Sequence, residues 1–161
     1  MLLFFVMRWH GKPLTQPTTT KAGIVSLEFA KTKQRADAIV KDWKNNGLQQ
    51  HAVSNTFIDY LFIFFYCLFL FAANWFISLK QKNPYKTISQ AIALFALIAA
   101  MFDVIENFFL LKMLALSCTD TEINSTWWLA ALKFLLVAIA IAWILINLLY
   151  LIIAKPKTLT S

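Results

Sequence analysis

Only three of the 161 residues are glycine, and they stand apart at positions 11, 23 and 47. A phosphate-cradling P-loop, a dinucleotide Gly-rich turn and a G-x-S-x-G nucleophile elbow all need clustered glycines, so none of these is present. Histidine is as scarce: His10 and His51 are isolated, and neither stands in an HExxH or comparable ligand spacing. Of the two cysteines, Cys67 falls in an apolar run and Cys118 in a short polar stretch. They imply no disulfide framework and no metal motif, and both read as inert. No cofactor motif is found. Charge is scarce too, at 14% of residues against the quarter or so usual in soluble domains.

What fills the chain is apolar: 60% hydrophobic residues, 16% aromatic ones and a mean hydropathy of +0.63. One membrane-embedded helical unit follows, with no room for a second large domain. The net charge of +7 comes from basic residues that flank apolar runs. They form no aromatic-interleaved patch, which argues against nucleic acid and for anionic lipid headgroups as their partner.

Three runs are long enough to cross a bilayer, at residues 55–79, 88–116 and 127–154. The first ends at Trp75 and Lys80, and the third opens with Trp127 and Trp128 and closes with Tyr150, Lys155 and Lys157, as interfacial anchors would. Residues 1–7 are an apolar stub, too short to span; they read as an interfacial anchor or the end of a truncated fourth span. Residues 8–54 read as a linker followed by an amphipathic segment, the linker lying at 11–22 around Gly11, Pro13, Pro17 and a Thr run. Ala36, Ile39, Val40 and Trp43 recur at helical spacing, with Lys33, Arg35, Asp37, Lys41 and Lys44 between them. Over 24–46 this predicts one or two amphipathic helices on the membrane surface or capping the bundle, stopped at Gly47. Residues 155–161 form a basic tail. The expected fold is thus an all-α membrane bundle of three full spans, with the stub and an amphipathic extramembrane helix.

The loop 80–87 carries three lysines and the tail two, whereas 117–126 has none. The positive-inside rule then places the first loop and the tail in the cytoplasm of a bacterial inner-membrane protein, and residues 8–54 and 117–126 opposite. The eight Lys and Arg of 8–54 pull the other way. Only Arg35, Lys41 and Lys44 among them lie within about 20 residues of the first span, where such charges count most.

Within the spans stand polar residues that lipid rejects. Asp103, Glu106 and Asn107, spaced i, i+3, i+4, share one side of a helix. A charge at membrane depth costs at least ~2.5 kcal/mol on insertion scales and persists only when compensated. Counted along the predicted spans at 1.5 Å per residue, Asp59 lies ~6 Å deep, Lys133 ~9 Å, Glu106 and Asn107 ~15 Å and Asp103 ~20 Å. All five fall in the half of the bilayer facing 8–54 and 117–126. Lys133 is expected to pair with one or two of Asp59, Asp103 and Glu106. Lys112 is either a further base or a snorkelling interfacial residue. Tyr66 and Asn74 extend the Asp59 side as interhelical contacts. Glu28 interrupts the apolar run Ile24–Ala30 and reads as a solvated helix residue or as a lid over the cluster.

Three segments, Gly23-Ile24-Val25-Ser26-Leu27-Glu28-Phe29-Ala30 leading to Trp43, Asp59-Tyr60-Leu61-Phe62-Ile63, and Asp103-Val104-Ile105-Glu106-Asn107, resemble small uncharacterised bacterial integral membrane proteins. The resemblance covers residues 23–154. It implies a four-span unit with the acidic helix between the first and second spans, and it departs at the N-terminus, where a full first span is missing. No established activity comes with it.

Three functions compete. In the first, the polar layer binds or passes a proton, a small cation or a small polar ligand, with Asp59, Asp103, Glu106 and Asn107 as binding groups and Lys133 as counter-charge. In the second, a membrane assembly subunit uses the same residues as interhelical ion pairs, with a membrane protein or a second copy as partner. In the third, a lipid-modifying enzyme uses the carboxylates as acid/base groups or metal ligands. The third has least support, because no His or carboxylate cluster reaches ligand spacing outside the membrane.

Overall fold

A computed structural model describes residues 2–17 and 20–153 of the chain, all of it helix, turn and loop among the described residues. The basic tail 155–161 lies outside them. Six α-helices follow in order: α1 (Leu2–Gly11), α2 (Val25–Glu28), α3 (Lys33–Asn45), α4 (Gln49–Leu79), α5 (Tyr85–Leu114) and α6 (Asp120–Ile153), with a short 3-10 turn at Lys12–Thr15. Three of these, α4 to α6, are long and apolar enough to cross a membrane. At 30 to 34 residues each, they are ~45–50 Å long, so each outreaches a ~30 Å hydrocarbon core.

The long helices follow from what the sequence leaves out. Neither glycine nor proline occurs between residues 48 and 83 or between 85 and 155, so nothing interrupts α4, α5 or α6. Pro84 stands at the start of α5, where a missing N–H is harmless. The turn between α5 and α6 carries no such punctuation. Leu116 takes a left-handed φ of 56°, the Leu116 N–H donates to Met113 O at 2.8 Å, and the Ser117 N–H donates to Lys112 O at 3.0 Å. This is a Schellman ending built on a leucine instead of a glycine, at a cost of about 1–2 kcal/mol in backbone conformation. The helix after it opens on a capping box: the Glu122 N–H donates to Thr119 Oγ1 at 3.3 Å, and the Thr119 N–H donates to Glu122 Oε2 at 2.8 Å. Thus α6 begins seven residues before the expected span.

Helix α5 is central. Ser89, Ala93, Ala96 and Ala99 line one buried seam along it, small enough to admit neighbouring backbones closely. The same seam continues into Asp103, Glu106, Asn107 and Leu110. Helices α4 and α6 pack extensively on α5 and touch each other much less. A gap between α4 and α6 results.

Residues 12–17 and 20–48 close one end of the bundle. The amphipathic stripe behaves as its spacing predicts: Ala36, Ile39, Val40 and Trp43 are all buried, packed with Leu14, Leu27 and Ala30 against Ala52, Leu110, Met113, Leu114, Cys118 and Ile123. The α3 ending is a regular Schellman turn on Gly47, with the Leu48 N–H donating to Trp43 O at 2.7 Å and the Gly47 N–H to Lys44 O at 3.1 Å. The stretch expected as a linker is packed. Leu14 and Thr20 are fully buried, Thr20 Oγ1 donates to Leu14 O at 2.8 Å, and the Trp43 indole N–H reaches both Leu14 O and Thr20 Oγ1 at 3.3 Å. Pro13 opens the short 3-10 turn here, and the buried indole finds in this stretch the polar partners that it needs.

Candidate functional site

The seam of α5 and the start of α6 converge beneath the cap. Lys133 Nζ lies 2.5 Å from Asp103 Oδ1, 2.8 Å from Glu106 Oε2 and 3.9 Å from Glu28 Oε2. Tyr66 of α4 donates its hydroxyl to Asp103 Oδ2 at 3.0 Å, and Asn107 donates its amide to Asp59 Oδ2 at 2.7 Å. Side chains from α2, α4, α5 and α6 thus meet in one cluster. Five of the expected site residues, Asp59, Asp103, Glu106, Asn107 and Lys133, come together here. Lys133 pairs with two of the three carboxylates expected, Asp103 and Glu106, and Asp59 is held by Asn107.

Counted from the cap-side ends of the helices as they stand, the five lie ~10–20 Å along their axes. Asp59 and Lys133 lie farther from the helix starts than from the starts of the apolar runs, because α4 and α6 begin six or seven residues before those runs do.

Glu28 overturns the solvated reading. It is buried, with Oε2 lacking a hydrogen-bond partner and facing Lys133. The reason is local. The single turn α2 is clamped onto α6 by Phe29, whose ring meets Trp127 edge-on at 6.3 Å and stacks on Phe134 at 6.2 Å. Leu27 and Ala30 enter the cap core on the other side. Glu28 is left pointing down over the cluster. Burial pushes its carboxyl above the ordinary 4.5, against the pull of Lys133; Asp103 pushes the same way as burial.

A raised folded-state pKa means that the folded protein holds this proton where the unfolded chain has lost it. Stability from this group is therefore fully present below about 4.5 and declines as pH rises above it. Glu28→Gln should flatten that decline, read as the thermal midpoint of the cap between pH 4 and 8. An unchanged pH profile in the variant would contradict the burial argument.

The remaining expectations divide. Lys112 pairs with Glu122 across the α5–α6 turn, outside the cluster. Tyr66 is the interhelical contact expected, but Asn74 is not: its amide donates to Leu70 O at 2.8 Å within its own helix, leaving Oδ1 buried without a partner. His10 and His51, far apart in sequence, have ring centroids 5.6 Å apart. Sequence reasoning also missed a second polar network at the far end. There Gln81 donates to Asn147 Oδ1 at 2.6 Å, Ser89 to Gln81 Oε1 at 2.6 Å and the Trp143 indole to Ser89 Oγ at 2.7 Å. It ties the α4–α5 loop to α6 and pairs its polar groups internally, as a structural lock does.

The gap between α4 and α6 is a cavity of about 1000 Å³. Glu28, Asp59, Asp103, Asn107 and Lys133 form its floor, and Asn55 and Tyr66 stand beside them. Phe62, Phe69, Phe134, Val137 and Ile141 supply apolar walls, while α1 and the 3-10 turn border the mouth through Trp9, Gly11 and Lys12. Glu106 is not on the cavity surface; it sits fully buried behind Lys133. Asn55 is 3% exposed, and its Oδ1 has no hydrogen-bond partner.

The chain matches no protein-family model, no curated protein and no solved structure. Its own geometry is therefore what speaks to function.

Proposed function

We propose that the protein is a membrane-embedded binding protein whose acidic cavity floor takes a small cation or a positively charged polar group. The observation that carries this reading is an imbalance: three carboxyl groups, Glu28, Asp103 and Glu106, face one ammonium, Lys133, and a fourth, Asp59, joins the same cavity lining with a neutral amide as its partner. Intramembrane carboxyl groups are costly and are kept where they pair or serve a ligand. Lys133 pairs with Asp103 and Glu106; Asp59 has a neutral amide for its partner and lines the cavity. An organic cation fits better than a metal ion, since among the described residues no three acidic, His or Cys side chains converge as metal ligands. The proposed setting is a bacterial inner membrane, with loop 80–87 cytoplasmic and the cap and cavity mouth on the opposite side.

The structural alternative has one observation in its favour. Lys133 bridges Asp103 and Glu106 of α5 to Glu28 of the cap, as an ion pair that fastens a bundle would. The two readings separate at Asp59, which takes no part in that bridge. Thermal unfolding of the purified chain in maltoside micelles, titrated with butylamine at constant ionic strength, is the test. Binding at a hundred times the dissociation constant stabilises by about 2.7 kcal/mol. The midpoint should therefore rise with butylamine in the wild type and stay flat in Asp59→Asn. Equal response in both proteins would overturn the reading.

A further inference from the structure

We infer that the ligand is an amphiphile headed by an N–H-bearing ammonium group, its tail lying between α4 and α6; this rests on the reading above and names its ligand class. The floor chemistry selects the head. Donors there are already committed: Lys133 to Asp103 and Glu106, Tyr66 to Asp103, and Asn107 to Asp59. What remains open is accepting. Asn55 Oδ1 and Glu28 Oε2 have no hydrogen-bond partner, and Asp59 has only the Asn107 amide among the described contacts. Asn55, buried and facing the cavity, lies outside the ion cluster, so its free oxygen is an independent sign of a missing donor. A head that brings N–H groups and positive charge matches acceptors of this kind, as neither of the other head classes does. A quaternary ammonium brings charge without N–H groups, and an anionic head meets carboxylates.

The walls select the tail. A bare ion would leave nearly all of a cavity of about 1000 Å³ unfilled, whereas this volume stands at the upper end for small-molecule sites of mixed polarity. Phe69, Phe134 and Ile141 line it and are also exposed on the outer surface of the bundle, so the apolar end opens toward lipid. The opening exists because α4 and α6 each pack on α5 and little on each other. At the head end, Gly11 of α1 borders the cavity: a Cβ there would stand 3.2 Å from Asn55 Oδ1. A side chain at position 11 would therefore crowd the free acceptor.

The experiment uses the full chain in maltoside micelles, with binding of dodecylamine, dodecyltrimethylammonium, dodecyl sulfate and butylamine followed by native mass spectrometry. One dodecylamine per chain should bind about tenfold or more tighter than the quaternary compound, the difference expected of hydrogen bonds to charged groups. Dodecyl sulfate should bind weakest of the twelve-carbon probes, and butylamine far more weakly than dodecylamine, because apolar burial grows with each methylene. Asn55→Leu and Asp59→Asn should each weaken dodecylamine about tenfold. Ile141→Trp, which fills the tail end without touching the floor, should weaken it as well and serves should Asn55→Leu fail to fold. Butylamine bound as tightly as dodecylamine would overturn the amphiphile and leave the cationic-group reading standing. Dodecyltrimethylammonium bound as tightly would overturn the N–H requirement. Amine binding that ignores Asp59→Asn would overturn both inferences together.

Discussion

Lys133→Met should cost the fold about 3–5 kcal/mol and leave little monodisperse protein, because removing one partner of a buried ion pair strands the others. Here the stranded groups are several at once. Asp103 and Glu106 lose a contact at 2.5 and 2.8 Å, and Glu28 loses the cation facing it. Methionine fills most of the same volume, so the loss reads as electrostatic and not as a cavity. A combined variant makes the point sharper. With Asp103→Asn and Glu106→Gln added, the stranded charges go, and folded yield should recover most of the way, as buried ion clusters replaced whole are often tolerated. Yield after size exclusion and the thermal midpoint are the readouts. Lys133→Met protein at wild-type yield and midpoint would contradict the cluster as described.

Trp43→Ala should be nearly as damaging, by about 3–5 kcal/mol, yet in a different place. Trp43 is the largest fully buried side chain of the cap, and its indole also holds Leu14 O and Thr20 Oγ1. Truncation removes the packing and both indole hydrogen bonds, leaving the bond from the Thr20 hydroxyl to Leu14 O as the polar contact there. The spans also pack on one another around Leu70, Ile92, Ala96 and Ala140, away from this ring, so helical content should fall only by the cap's share. Limited proteolysis should then cut within residues 20–48 while α4 to α6 stay intact. Cleavage spread evenly over the chain would show instead that the cap and the bundle unfold as one unit.

These two variants separate what was legible in the sequence from what was not. Long apolar runs without Gly or Pro read directly as three spans, because in lipid the backbone has no choice but to satisfy itself as helix. The i, i+3, i+4 spacing of Asp103, Glu106 and Asn107 and the depth argument for Asp59 and Lys133 brought five groups into one layer, and they meet. Glu28 was harder to read. Its place depends on Phe29 gripping Trp127 and Phe134, a contact about a hundred residues away in the chain. Helix starts were misplaced for a definite reason: polar turns of α4 and α6 precede the apolar runs, although Thr119 and Glu122 already spell a capping box. The end of α5 at a left-handed leucine carries no residue signal at all. Asn55 was overlooked because one amide at a helix start looks ordinary until its oxygen is seen to lack a partner.

A crystal structure grown in dodecylamine tests the central claim most directly. The account predicts one ammonium nitrogen within hydrogen-bonding distance, about 2.7–3.2 Å, of both the Asp59 carboxylate and Asn55 Oδ1, with the alkyl chain running between α4 and α6. An ammonium found at the membrane interface, with the floor of the cavity unchanged, would contradict it.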